Sequence, residues 1–180
     1  MYSVTLGKWS FSIEDGTLPD IYAAYKEHAV LVDEIDINDD DGRPLFISAG
    51  LAGQGGWPSV VIAQRYSPHG CGFDSGFLLV PQSSLLFVGA GENLSCYDLS
   101  LPQKLWSDYA DIGFLGWRHY REFVLMSAEL ELSVWNTSGE KLWTTFVEPP
   151  WGYSIQGDLV ELDIMGKKHR RVLATGKEIK

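Results

Sequence analysis

Phe87 to Trp106 reads FVGAGENLSCYDLSLPQKLW, and Leu125 to Trp143 reads LMSAELELSVWNTSGEKLW. Set side by side, Ala90 meets Ala128, Leu94 meets Leu132, Ser95 meets Ser133 and Asp98 meets Asn136. After one dropped residue, Lys104-Leu105-Trp106 meets Lys141-Leu142-Trp143. Both copies predict a strand, a tight connection, a second strand ending in Asp or Asn, a turn, and a third strand ending in Lys-Leu-Trp. Trp106 and Trp143 are expected to be mostly buried, in matching environments.

Outward from this pair the chain keeps the same habit. Short apolar runs are predicted as strands at 94–99, 103–107, 112–117, 122–128, 130–135, 141–147, 152–156, 159–164 and 170–174, with turns at Ser138-Gly139, Gly157-Asp158 and Gly166-Lys167. Strands at such spacing indicate an antiparallel β architecture. Toward the N-terminus, Val4 to Ile13 reads as a strand closed by Asp15-Gly16. Pro19 and Asp20 then open a short helix near 19–28, with Ile21, Ala24, Tyr25 and His28 on one face. Val30 to Ile37 returns to strand character, and Asp41-Gly42 predicts a hairpin into Leu45-Phe46-Ile47. The fold class is therefore mainly β: a single domain of antiparallel, blade-like hairpins, either partly propeller-like or two packed sheets, with one helix. It divides into an acidic half (1–82), a repeat-bearing half (83–165) and a basic tail (167–180).

The segment Asn136-Thr137-Ser138-Gly139-Glu140-Lys141-Leu142-Trp143 resembles the repeat of quinoprotein-type β-propellers, in which each blade runs through Asp, a turn and Gly-Lys-x-x-Trp. The first copy departs from it by carrying Pro102-Gln103 where Gly stands, and a fainter third copy at Leu159–Asp163 lacks the Trp. The resemblance covers residues 83–165. It implies that each Trp packs against a neighbouring blade and that Asp98 and Asn136 close their turns through side-chain bonds to backbone N–H groups. Closed propellers need four to eight four-stranded blades, and no ring of ligand residues matches, so no cofactor is expected. The whole chain also resembles short bacterial proteins that carry a VGAG…LW…VEPPW signature, here Val88–Gly91, Leu105-Trp106 and Val147–Trp151. That likeness implies no activity.

Charge is uneven. Residues 1–166 carry 23 acids against 8 bases, −15, and residues 167–180 carry 6 bases and one acid, +5. An acidic body repels phosphates and argues against nucleic acid as a partner; it suits a basic protein. No apolar run approaches the ~20 residues of a membrane span, and the N-terminal MYSVTLGKWSFSIEDG shows no leader pattern. The expected location is cytoplasmic.

Motifs for chemistry are weak. Gly89-Ala90-Gly91 has Leu94 and a strand where a dinucleotide fingerprint needs a third Gly and a helix. His69 and Cys71 form one close thiol–base pair, in a loop, and neither has an oriented third group assured. Glu129, Glu131, Glu148, Asp108 and Asp111 offer carboxylates, but Glu129 and Glu131 alternate with Leu130 and Leu132 and are expected on a solvated face.

The expected function is therefore non-enzymatic binding of a basic protein partner, as an immunity-type protein sequesters a toxin. Asp39, Asp40 and Asp41 would steer the partner, and Trp57, His69 and Phe73 would supply aromatic contact. An alternative is a small hydrolase or ligand-binding protein using Trp117, Glu148, Trp151 and Tyr153. A third is a self-associating structural subunit, so a homo-oligomer is also open.

Asp36, Asn38 and Asp40 have the alternate spacing of a calcium loop, yet Asp41 and Ile47 stand where that loop needs Gly and a bidentate Glu. No metal is expected. Calorimetry with Ca²⁺ at near-physiological salt should show no binding tighter than millimolar; a micromolar site would overturn the reading of this cluster.

Overall fold

The computed structural model describes residues 1–39, 41–67 and 73–179. The chain opens with a hairpin, β1 (Tyr2–Leu6) and β2 (Trp9–Asp15), turned at Gly7-Lys8. Helix α1 (Tyr22–His28) follows, then β3 (Leu31–Ile35), β4 (Arg43–Leu51) and β5 (Val60–Tyr66). These five strands form one sheet in the order β1-β2-β4-β5-β3, with β3 parallel to β5 and the other pairs antiparallel.

Three antiparallel meanders complete the fold, each with strand order equal to chain order. The second sheet is β6 (Ser75–Val80), β7 (Leu85–Ala90), β8 (Asn93–Asp98) and β9 (Gln103–Tyr109). The third is β10 (Phe114–Tyr120), β11 (Phe123–Ala128), β12 (Glu131–Asn136) and β13 (Lys141–Phe146). The fourth is β14 (Trp151–Gln156), β15 (Leu159–Ile164), β16 (Lys167–Val172) and β17 (Glu178–Ile179). Among the described residues the architecture is mainly β, with four blade-like sheets, one helix and no closed barrel, consistent with the partly propeller-like form of the expectation rather than with two packed sheets.

Hydrophobic layers weld neighbouring sheets. Phe11, Ile13, Ile47 and Ile62 of the first sheet meet Leu86, Val88 and Tyr97 of the second. Phe87, Leu94 and Cys96 of the second meet Val124, Met126 and Trp135 of the third. Leu125, Leu132 and Val134 of the third meet Val160 and Leu162 of the fourth. Among the described residues no such cluster joins the first sheet to the fourth, so the stack is open.

Its two ends are finished differently. The outer face of the first sheet carries Phe46, against which Tyr22 and Tyr25 of α1 pack at ring separations of 5.9 and 6.0 Å. A seven-residue helix without a side-chain cap is marginal alone, so it depends on this ring packing and on Glu34 of β3, which accepts from the Tyr22 hydroxyl at 2.5 Å and from Lys26 Nζ at 2.7 Å. The outer face of the fourth sheet is a charge ladder instead: Lys168 lies 3.0 Å from Asp163 and 3.5 Å from Glu161, and Arg170 donates to Glu161 at 3.1 Å. The hydrogen bond from Arg170 holds the Glu161 carboxyl below its usual range, and that from Lys168 does the same for Asp163. The basic segment 167–180 thus supplies two strands of the last sheet.

Two expected connections differ. Val4–Ile13 is two strands, because the apolar positions change parity across Gly7-Lys8. The hairpin at Asp41-Gly42 does not form: β4 lies between β2 and β5, and β3 pairs with β5. Pro44 to Ala49 of β4 is buried throughout and needs a partner on both sides, whereas the half-exposed β3 suits an edge. Gly42 turns the chain with φ +96°, and a Cβ there would lie 2.6 Å from the Tyr66 carbonyl oxygen. Glu131 also departs from expectation. It is buried, because Thr144 Oγ1 donates to it at 2.8 Å, the Asp111 N–H at 3.1 Å, and the Ser133 hydroxyl as well.

The repeat explains the stacking. Asp98 Oδ1 accepts from the backbone N–H groups of Ser100 and Leu101 at 2.8 and 3.1 Å; Asn136 Oδ1 accepts from those of Ser138 and Glu140 at 3.1 and 2.9 Å. In each Lys-Leu-Trp the Leu is the extra residue of a β-bulge, since Cys96 faces Trp106 while Tyr97 faces Lys104, and Val134 faces Trp143 while Trp135 faces Lys141. The Lys reaches back to the preceding sheet: Lys104 to Asp33 at 2.7 Å and Lys141 to Asp108 at 2.8 Å. The Trp reaches forward. Trp106 Nε1 donates to the Gly139 carbonyl and Trp143 Nε1 to the Leu173 carbonyl, both at 2.7 Å. Both rings are part-buried rather than fully enclosed.

The accepting turns correspond, each lying between the last two strands of the next sheet. The structural third copy is therefore the Thr175-Gly176 turn and not Leu159–Asp163, which lies in β15. Gly176 has φ +67°, and a Cβ there would come within 2.7 Å of the Trp143 ring.

Replacing Trp143 by Ala should lower stability by about 3 kcal/mol, by loss of ring packing. Trp143→Phe, which keeps a ring and loses the N–H bond, should cost about 1 kcal/mol. Denaturant midpoints at unchanged m-value would read both effects; equal stability of Trp143→Ala and the wild type would remove the repeat as the structural frame. Burial pushes the Cys96 thiol up to about 12, so it stays protonated far above neutrality. Iodoacetamide at pH 8 should modify Cys96 only after unfolding, as read by peptide mass spectrometry.

Candidate functional site

At one edge of the first two sheets, four segments surround a cleft of about 230 Å³, one of them contributing Phe73 ahead of β6. The β3–β4 connection contributes Asp36, Asp39 and Asp41, the end of β5 contributes Arg65 and Tyr66, and the β7–β8 turn contributes Glu92. The Asp39 N–H donates to the Asp36 carbonyl at 3.1 Å, and Asp36 sits at φ +52°, so the acidic connection is a tight turn. It presents its carboxylates where a longer loop would disperse them.

The cleft floor is tied down from several sides. Gln64 Nε2 donates to the Ala90 carbonyl at 2.8 Å, holding β5 against β7. The Tyr66 hydroxyl donates to Asp15 at 3.3 Å, Ser75 Oγ donates to the same carboxylate at 2.9 Å, and Arg43 pairs with it at 2.6 Å. Burial raises the Tyr66 phenol above its ordinary range, so it remains a neutral donor at physiological pH. Arg65 Nη1 donates to the Gly42 carbonyl at 3.1 Å. It shares the cleft lining with four carboxylates, those of Asp36, Asp39, Asp41 and Glu92, so the lining is acidic in balance.

Of the residues expected to bind, the structure brings Asp39, Asp41 and Phe73 to this cleft. Phe73 is 7% exposed and lies against Gly113, so it forms wall rather than offering an open ring. Asp40, His69 and Cys71 lie outside the described residues. Trp57 is elsewhere, in the β4–β5 connection, where it stacks on His28 at 4.2 Å and meets Tyr25 edge-on at 6.0 Å.

The alternative residues do not converge on one surface. Trp117 is packed between the second and third sheets among Phe87, Phe114 and Trp135. Trp151 and Tyr153 lie between the third and fourth, with Trp151 Nε1 donating to the Glu129 carbonyl at 2.8 Å and Arg118 over the Tyr153 ring at 5.7 Å. Glu148 is exposed on the connection between these sheets. Arg65, Tyr66 and Glu92 are the cleft residues that the sequence did not single out. Only the pairing of β4 with β5, and of β5 with the second sheet, brings them beside the acidic turn.

Among the described residues no group of three His, Cys, Asp or Glu side chains is placed to hold a metal ion. Nor is any described helix long and apolar enough to cross a membrane.

No family model matches the chain, and no curated protein does. Among solved structures it is similar to a europium-containing methanol dehydrogenase at 13% identity and a TM-score of 0.42, over 58% of this chain and 23% of that one. It is similar to BamB from Moraxella catarrhalis at 16% identity and a TM-score of 0.48, over 79% and 47% of the two chains. It is also similar to KlHsv2 with its loop 6CD replaced by a Gly-Ser linker, at 15% identity and a TM-score of 0.43, over 74% and 44%. The chain thus spans less than half the length of each of these three proteins.

Proposed function

We propose that this chain is a non-enzymatic recognition module that receives a basic side chain of a partner protein in the acidic cleft. The observation that carries the reading is the placement of Asp36, Asp39, Asp41 and Glu92 around one opening of about 230 Å³. Carboxylates gathered on one rim steer a cationic partner and raise its association rate at low salt. A Lys or Arg side chain entering the cleft would exchange water for carboxylate oxygens, and charge-assisted bonds of that kind are the stronger class. The Tyr66 and Phe73 walls would cover its aliphatic stem.

An immunity-type role in the cytoplasm, holding a basic toxin inactive, fits this chemistry and the charge of −10.

The test is capture from the native host with mass spectrometry, run in parallel with Asp36, Asp39 and Asp41 changed to Asn. One stoichiometric basic protein should be recovered, bound about tenfold more weakly by the triple variant and more weakly in high salt. Recovery of copies of this chain alone would point to self-association. A partner bound equally by the triple variant would remove the cleft from the interface.

A further inference from the structure

A second and larger cleft, of about 470 Å³, opens on the first sheet beside the glycine-rich connection 50–58 and reaches the β8–β9 turn of the second. Its size lies within the roughly 300–1,000 Å³ of small-molecule sites. Not one lining residue is charged, in a chain where 21% of residues are. The lining is instead aromatic and neutral-polar: Trp9, Tyr25 and Trp57 supply rings, and Ser10, Ser48 and Gln54 supply hydroxyl and amide groups.

We propose that this cleft binds a neutral saccharide. A charged ligand would find no charged side chain in the lining, the neighbouring Lys8 ammonium lying 5.3 Å over the Trp9 ring and outside it. A purely apolar one would cover hydroxyl and amide groups without pairing them, which costs about 1–3 kcal/mol for each group left so. A sugar ring has apolar C–H faces that lie against aromatic rings and a rim of hydroxyls that both donate and accept, so it satisfies both kinds of wall.

Trp57 is the platform. His28 covers one face of its indole, Tyr25 meets it edge-on, and the residue stays 48% exposed. Trp9 is 3% exposed and belongs to the apolar layer between the first two sheets, so it lines the cleft as an apolar wall. Ser48, also 3% exposed, adds a hydroxyl from the adjacent strand.

Saturation-transfer NMR with maltose, cellobiose, lactose and N,N′-diacetylchitobiose at millimolar concentration tests the proposal. At least one should show transfer to its ring protons, weakened about tenfold or more by Trp57→Ala and also reduced by Gln54→Ala. Both changes lie on an exposed connection, and circular dichroism would verify that the variants fold. The Asp36, Asp39 and Asp41 triple variant should bind the sugar unchanged, which separates this site from the acidic cleft. Absence of transfer from all four sugars would overturn the proposal. So would equal binding by Trp57→Ala, or binding of a proline-rich peptide at Trp57 without any sugar.

Discussion

One hydrogen bond, made twice, organises this molecule: an indole N–H crossing from the last strand of one sheet to a turn carbonyl of the next. Each bond contributes about 1 kcal/mol, far less than the apolar layers around it. Its value is directional. Apolar faces attract without specifying how far one sheet rotates over another, whereas a donor fixed to a rigid ring has a single acceptor in reach. Trp106 also stacks on Trp135 of the next sheet at 5.5 Å and 12° between planes, so the same residue sets both angle and spacing. Lys104 and Lys141 repeat the logic backward with a charge.

A closed ring of sheets has no ends, but an open stack must finish both. The two solutions here draw on different physics. Phe46 would expose a large ring to water, and α1 covers it with two tyrosines. The fourth sheet carries charged pairs on its outer face instead, Lys168 with Asp163 and Arg170 with Glu161. Exposed ion pairs add little stability, and this face is finished by charge pairing rather than by burial.

How much of this was legible in the sequence depended on whether local pattern or distant partner decided the outcome. The repeat was readable because Asp98 and Asn136 close turns within their own hairpins and each Lys-Leu-Trp forms its bulge there, although the Lys and Trp side chains then reach the neighbouring sheets. The Gly7-Lys8 turn was also available, in the parity change from Val4 and Leu6 to Trp9, Phe11 and Ile13, though the run read as one strand. The Asp41-Gly42 hairpin failed because turn chemistry says where a chain bends and not which strand it will meet. Glu131 read as solvated because alternation with leucines carries no information on Thr144 or Asp111. At the acidic cleft, Asp39 and Asp41 were visible as a cluster, while Arg65 and Glu92 arrive by pairings between strands far apart in sequence. Trp57 was noticed for its ring, but its neutral surroundings arise only when α1 and the β8–β9 turn close around it.

The forward reach of the indoles also gives assembly a direction in time. A ribosome delivers the chain from its N-terminus, and domains tend to form in that order. Trp106 can find Gly139 only after most of the third sheet has been made, and Trp143 can find Leu173 only after most of the fourth. Each newly made sheet is therefore provisional until its successor emerges, and the lysines, reaching back to Asp33 and Asp108, are the contacts available first. The growing chain carries one unfinished joint, at its newest sheet, rather than many spread along its length.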